Sequence, residues 1–129
     1  MGRQKAGFAL PVALARCIVG KMTLLQQRDE ARRRRRLEVY TETRRRLRGA
    51  LADLVPGHRV IVFGSLTKPG VFNERSDVDV ALEAELPEMD SLKLTAELME
   101  RLDRPVDVVL LERCRFRDKI LREGEPWTV

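Results

Sequence analysis

Two short motifs carry the residue types in this sequence that could do chemistry. Gly64-Ser65 follows the apolar, β-branched run at residues 60–63, and Asp77 and Asp79 stand two apart in the run at residues 76–82. A glycine lets the backbone turn tightly and lets a ligand approach it. A serine offers a hydroxyl and a backbone N–H to a phosphate oxygen. These residue types predict a phosphate cradle near a pair of carboxylates.

The two aspartates predict a divalent-cation site. Side chains alternate in direction along a strand, so Asp77 and Asp79 leave the same face, with α-carbons roughly 6.6 Å apart. Carboxylates aimed at one point repel each other, and a cation removes that repulsion. Oxygen ligands favour Mg²⁺ or Mn²⁺ over zinc. A phosphate cradle opposite a metal clamp is the apparatus that transfers a nucleotidyl or phosphoryl group.

Asp107 is a third candidate for this chemistry. It interrupts the apolar run at residues 106–111, where an unpaired buried carboxylate would be costly. Either Asp107 meets water or an arginine at an edge position, or it is a third metal ligand on a neighbouring strand. Glu112 is the fallback ligand, although the two-residue period of a strand puts it on the opposite face from Asp107.

Polar residues flank both motifs. Lys68 and Arg75 are close enough in sequence to reach triphosphate oxygens, and either could equally be solvated. Ser76 either orients a carboxylate or caps the loop. His58 is the only histidine, and it lies at the far end of the first strand from Ser65. That position favours a surface-loop role for His58 over catalysis.

The elements that must position these residues predict an α/β fold. Apolar periodicity predicts strands at residues 60–63, 76–82 and 106–111, and helices at about residues 29–54, 91–103 and 115–123. The predicted buried residues of the three helices are, in order, Leu37, Tyr40, Leu47, Leu51 and Leu54; Leu92, Leu94, Leu98, Met99 and Leu102; and Phe116 and Ile120. Gly124 is the predicted C-cap of the last helix. We expect a small mixed sheet of three or four strands, with helices mainly on one face and residues 127–129 as a short edge strand or loosely packed.

Composition limits the classes of protein and partner. The chain has 129 residues, a net charge of +5, 35% charged residues and 5% aromatic residues. This indicates one domain with an aliphatic core, and a polyanionic partner such as nucleotide, RNA or an acidic protein. No apolar run is long enough to cross a bilayer. Cys17 and Cys114 match no metal or redox spacing, which favours a reducing cytoplasm.

The N-terminal segment does not clearly belong to the domain. Residues 8–15 faintly resemble a signal peptide, but Arg16 follows at once. A start at Met22 is the competing explanation. We predict a poorly ordered extension at residues 1–21 and one folded domain at residues 22–129.

Taken together, Gly64-Ser65 and Asp77-Val78-Asp79 resemble the motifs of the polymerase-β-like nucleotidyltransferases. The chain is most similar to their small single-domain members, the minimal nucleotidyltransferases, many of which are antitoxins paired with HEPN-domain toxins. The resemblance covers roughly residues 37–125. The loop at residues 66–76 is one residue longer than the commonest family spacing, which Pro69-Gly70 can absorb as a turn.

The resemblance implies a site and a reaction. Gly64 and Ser65 would hold the β- and γ-phosphates, helped by Lys68, Arg75 and Ser76. Two Mg²⁺ ions would be bound by Asp77 and Asp79, with Asp107 sharing one of them and helping to deprotonate the acceptor. The expected reaction moves AMP from ATP to a hydroxyl group and releases pyrophosphate. Family members that modify antibiotics usually carry an additional helical domain for the acceptor, and the elements predicted here include no such domain. A stand-alone catalytic domain fits a partner protein that brings its own acceptor. We therefore expect the acceptor to be a tyrosine of a HEPN ribonuclease.

Other functions stay open at this point. A non-catalytic antitoxin would bind its toxin tightly and keep the aspartates as a relic. An RNA-directed transferase would use the arginine-rich helix, although no aromatic residues interleave with those arginines. A small-molecule nucleotidyltransferase is a third alternative. The arginine-rich face itself is either a solvated helix surface or a docking surface for an acidic partner.

Overall fold

The computed structural model describes residues 23–129. The predicted extension at residues 1–21, with Cys17, lies outside the described residues, so the predicted domain boundary stays a prediction. The chain divides into two units between Arg34 and Arg35, and the second unit is Arg35–Val129. The second unit contains the whole sheet and every predicted site residue.

The first helix, α1 (Leu24–Leu54), begins five residues before the predicted start at Asp29. The Thr23 N–H donates to Gln26 Oε1 at 2.8 Å, and the Gln26 N–H donates to Thr23 Oγ1 at 3.1 Å. This reciprocal pair is a capping box, which satisfies N–H groups that the first turn leaves unpaired. The prediction followed apolar periodicity and missed this polar start signal.

Four strands form one mixed sheet in the order β3-β2-β1-β4. They are β1 (Arg59–Phe63), β2 (Val78–Leu82), β3 (Val106–Leu110) and β4 (Glu125–Thr128). β1 runs antiparallel to both β2 and β4, while β2 and β3 are parallel. The predicted α/β class with a small mixed sheet is confirmed, and Trp127 belongs to an edge strand.

One face of the sheet packs against α1, from Arg35 onward, and against α2 (Ser91–Leu102). The side chain of Asp90 caps α2 by accepting the Lys93 N–H at 2.8 Å. The helices contribute buried leucines to this core, and each strand contributes every second residue. The core includes Leu47, Leu51, Leu94, Leu98, Val60, Val62, Val78, Val80 and Leu82. The predicted alternation in β2 is therefore confirmed.

Three residues predicted to be buried in these two helices are exposed instead. They are Leu37, Leu92 and Met99, at 52%, 81% and 44% of their full exposure. α1 buries the smaller residues Thr43 and Ala50 beside Leu47. Small side chains let a helix lie close to the sheet, and the direction of that approach selects the buried face more than residue size does.

The other face of the sheet is covered only in part, by α3 (Arg117–Glu123). Ile120 packs there with Ile61, Ala81 and Leu111. Phe116 was predicted to share this buried face, but it is 64% exposed at the N-cap of α3. The prediction of helices mainly on one face is confirmed, and Gly124 is the C-cap of α3 as predicted.

None of the helices within residues 23–129 combines the length and the apolar character that crossing a bilayer requires.

Candidate active site

Gly64 lies at the end of β1, directly against the carboxylate of Asp79. Its φ is +74°, and a short 3₁₀ helix, Gly64–Thr67, begins there. A Cβ at this position would clash with Asp79 Oδ2 and lie 3.3 Å from Asp79 Cγ. Thr67 Oγ1 closes the turn by donating to the Gly64 carbonyl at 2.8 Å. Both the backbone conformation and the nearby carboxylate therefore require glycine.

Asp79 and Asp107 lie side by side on neighbouring parallel strands. The register pairs Asp79 of β2 directly with Asp107 of β3, which places their α-carbons about 4.8 Å apart. Because side chains alternate, both carboxylates leave the sheet on the face away from the α1–α2 core. Asp79 is partly buried and Asp107 is exposed. The structure thus puts Asp107 where the third-ligand interpretation requires it.

Asp77 approaches the same place from a loop. It directly precedes β2 rather than lying inside the strand as predicted, and its side chain is exposed. Glu112, the fallback ligand, lies past the end of β3 in a second 3₁₀ helix, Leu111–Arg113. Its backbone N–H donates to the Glu83 carbonyl at 3.3 Å. The register therefore favours Asp107 over Glu112 as the third acidic residue.

The charges of Asp107 and Asp77 act on Asp79. Burial raises the pKa of Asp79 above its ordinary value of 3.8, and the negative charges of Asp107 and then Asp77 raise it further. Within residues 23–129, no lysine, arginine or histidine forms an ion pair with any of the three. The site is therefore a concentration of negative charge, with its most desolvated member against Gly64.

The donor chemistry of this site fits a hard divalent cation. Three carboxylates on one side of a sheet supply only oxygen, which suits Mg²⁺ and Mn²⁺. In the part of the chain that the structure describes, no three carboxylate, imidazole or thiol groups are already gathered into a set that could hold an ion. Mutual repulsion keeps like charges apart, so a bound cation would have to draw Asp77, Asp79 and Asp107 together.

Arg104 holds the loop that carries Asp77. Its Nη1 donates to the carbonyl oxygens of Asn73, at 3.2 Å, and Ser76, at 2.9 Å. Its guanidinium carbon lies 4.8 Å from the ring centroid of the fully buried Phe72. One side chain therefore fixes both ends of the turn before Asp77.

The electrostatics of Arg104 agree with this placement. Burial lowers the pKa of its guanidinium, while the charges of Glu74 and Asp77 act in the opposite direction. The sequence analysis missed this residue. The one available signal was its position in Arg104-Pro105, just before the strand that bears Asp107.

The remaining predicted site residues do not all come together. The Ser76 hydroxyl accepts the Asn73 N–H at 3.0 Å, so it caps its own loop. Ser65 is partly buried, and its carbonyl accepts the Lys68 N–H at 2.9 Å. Arg75 is exposed and joins the loop through its backbone N–H. Among these candidates, Lys68 alone has a place beside Gly64 in the cavity next to the site.

That cavity has a volume of about 440 Å³ and opens beside Gly64 and Asp107. Lys68 and Lys119 contribute positive charge to its lining. Its walls are mainly apolar and come from the end of β1, from β3 and from α3; they include Phe63, Val109, Cys114, Phe116 and Ile120. A larger cavity, of about 700 Å³, is lined by residues of α1 with Leu102 and Arg104, and no predicted site residue contributes to it. The smaller cavity is therefore the one of the two that adjoins predicted site residues, namely Gly64, Lys68 and Asp107.

Comparisons with known proteins agree with this fold. A family model described as "Polymerase beta, Nucleotidyltransferase" matches residues 57–126, more than half of the chain. A solved structure described as "Crystal structure of the toxin-antitoxin with AMP-PNP" is similar, with a TM-score of 0.51 and 24% identity over 66% of this chain and 73% of that one. At that identity the likeness shows the fold alone. No curated protein matches the sequence.

Proposed function

Because the chain belongs to the polymerase-β nucleotidyltransferase family, we propose that it transfers a nucleoside monophosphate from a nucleoside triphosphate to a hydroxyl group of a partner protein. The observation that carries the proposal is the parallel register that sets Asp107 beside Asp79, whose carboxylate lies against Gly64. This arrangement presents several carboxylates at the end of a tight, glycine-made turn, as metal-assisted transfer of a nucleotidyl group to a hydroxyl group requires.

In the proposed reaction the acceptor oxygen forms a bond to the α-phosphorus of the donor. The bond from that phosphorus to the bridging oxygen breaks, and pyrophosphate leaves with the electron pair. Asp107, the most exposed carboxylate on the strands, accepts the acceptor proton. The turn at Gly64-Ser65 and the ammonium group of Lys68 hold the phosphate tail. Bound to Asp77, Asp79 and Asp107, Mg²⁺ or Mn²⁺ would stabilise negative charge on the attacking and leaving oxygens.

The proposed donor is ATP and the proposed acceptor is a tyrosine of a HEPN-domain toxin, which makes this protein the antitoxin of a pair. Two points support that choice. The motifs resemble those of minimal nucleotidyltransferases, and the similar solved structure is of a toxin–antitoxin with AMP-PNP. We also propose a cytoplasmic location, because the proposed nucleotide donor and the proposed toxin partner would both be found in the cytoplasm.

The test uses purified protein, Mg²⁺ and the cognate partner with ATP labelled at either the α- or the γ-phosphate. The proposal expects α-label, and not γ-label, on the partner. Asp77→Ala and Asp79→Ala should each lower the transfer at least a hundredfold, the order of loss expected when a metal-assisted step fails. Glu100→Gln is the control, because Glu100 is exposed on α2. Transfer that persists in both aspartate variants would contradict the proposal.

One observation favours a second function, that of a non-catalytic antitoxin. The described residues include no preassembled metal-binding group, as expected if the carboxylates were a relic. In that case the toxin would be inhibited equally by the wild type and by Asp77→Ala, with no label transferred. Loss of inhibition together with loss of label would exclude the binding-only function.

A further inference from the structure

The cavity beside Gly64 has a feature that phosphate transfer alone does not explain. Phe116 lines it and is nevertheless 64% exposed. A large aromatic ring at the mouth of a cavity presents a π-face to whatever enters. Phe63, Val109 and Ile120 continue the apolar wall behind it. The cavity can therefore hold a flat, largely apolar ring system.

The charges around this wall indicate which ring system fits. Lys68 lines the cavity together with Gly64, where the phosphate tail is proposed to bind, and Lys119 adds a second positive charge from α3. The lining also includes two carboxylates, those of Asp107, a proposed metal ligand, and of Glu123. A molecule with a planar ring at one end and several negative charges at the other matches both features. The volume of about 440 Å³ lies within the range of small-molecule and cofactor sites.

We propose that this cavity binds the nucleoside of the donor nucleotide, with its base stacked on Phe116. The inference rests on the proposed function and adds the residues that hold the donor. Apolar and aromatic groups dominate the wall, so stacking and shape, rather than hydrogen bonds to the edge of the base, select the ligand. Stacking is tolerant of base identity, because every base has a π-face. The site accepts both purines and holds pyrimidines more weakly, because their rings are smaller.

The experiment is a calorimetric titration of ATP, GTP, CTP and UTP into the free protein with Mg²⁺ and without a partner. Phe116→Ala should raise every Kd roughly tenfold, in keeping with the loss of one aromatic stack. Phe116→Trp keeps a π-face and should stay within about twofold of the wild type. Leu121→Ala is the matched control, since Leu121 is an exposed apolar residue of the same helix that does not line the cavity. Melting curves check that each variant folds.

The outcomes separate this inference from the function it rests on. If Phe116→Ala leaves every Kd unchanged while Asp79→Ala still abolishes label transfer, the stacking site is wrong and the transferase stands. If one purine nucleotide binds more than tenfold tighter than the other, hydrogen bonds to the edge of the base determine which nucleotide binds, and the inference fails. If the wild type binds no nucleotide and transfers no label, both fail. A tenfold loss shared by ATP and GTP supports the inference.

Discussion

At the residue scale, the site concentrates negative charge that no lysine, arginine or histidine within residues 23–129 neutralises in an ion pair. The charged form of Asp79 is in the least favourable surroundings of the three, because Asp79 is partly buried, lies opposite Asp107 on the neighbouring strand and contacts Gly64. Functional carboxylates are often held in such unfavourable surroundings. The physical consequence is that stability and activity should respond in opposite directions when this charge is removed.

Asp79→Asn should therefore stabilise the metal-free protein while abolishing transfer. The pKa of Asp79 is raised above 3.8 in the folded state, so the folded state binds more protons than the unfolded state just above that pH. The contribution of Asp79 to the free energy of unfolding therefore falls as the pH rises from 3.8 through the raised pKa of the folded state. At pH 7 the free energy of unfolding of Asp79→Asn should exceed that of the wild type by about 0.2–1 kcal/mol, the range expected when a like-charge cross-strand pair is relieved. This difference should vanish below pH 3.8, where Asp79 is protonated in both the folded and the unfolded state.

Thermal melts of both proteins from pH 3.5 to 7.5, with and without Mg²⁺, make the measurement. Mg²⁺ should raise the Tm of the wild type more than that of Asp79→Asn. Asp118→Asn, at an exposed position on α3, is the control. A variant that melts below the wild type at pH 7 without Mg²⁺ would show that the Asp79 charge is not destabilising.

Gly64→Ala should damage both stability and function. Alanine at a φ of +74° is strained, and its Cβ would displace the Asp79 carboxylate. The expected cost is roughly 1–3 kcal/mol, measured by urea unfolding. Gly70→Ala is the matched control, because no atom lies within 4 Å of a Cβ placed there. Equal unfolding midpoints for the two variants would mean that the turn does not require glycine.

At the scale of elements, two connections place the acidic residues. The parallel pairing of β2 with β3 aligns Asp79 and Asp107, and Arg104 fastens the loop before Asp77. Neither connection could be read from local patterns. Periodicity predicted the strands, but register depends on how distant segments pair, and the partners of Arg104 are separated from it by about thirty residues.

Arg104→Gln should raise the Mg²⁺ concentration needed for half-maximal transfer. Without the bonds to Asn73 and Ser76 the Asp77 loop is free to move, and stability should fall by about 1–3 kcal/mol. A purely structural role would lower stability but leave the Mg²⁺ dependence unchanged, so that dependence is the decisive measurement. Arg101→Gln, which removes an exposed ion pair with Asp53, should alter neither property.

At the scale of the whole molecule, part of the arginine-rich surface has an internal role. Arg44 donates to the Leu66 carbonyl at 2.9 Å and pairs with Glu125 at 2.7 Å. The guanidinium carbons of Arg44 and Arg48 lie 5.1 and 4.2 Å from the ring centroid of Trp127. These two arginines therefore tie α1 to β4. Arg45, whose one ion pair within residues 23–129 is with Glu42 on its own helix, fits the solvated-surface interpretation.

Trp127→Ala should destabilise the entire second unit rather than fray its edge. Trp127 is buried on β4, packs under two arginines and belongs to the main core, so we expect a loss of about 3–5 kcal/mol. The measurement is urea unfolding followed by circular dichroism. Leu92→Ala, at 81% exposure, is the control. A variant of unchanged stability would mean that β4 contributes little.

The sequence by itself determined the fold class, three of the four strands and the candidate carboxylates of the site. These follow from local patterns, namely β-branched runs, a glycine-serine turn and paired aspartates, whose physical meaning does not depend on distant residues. The tertiary structure decided that Asp107 aligns with Asp79, that Arg104 holds the Asp77 loop, and that Phe116 stands open at a cavity rather than in a core. Those facts depend on strand register and on the direction in which helices approach the sheet, which only the packing of the whole chain sets.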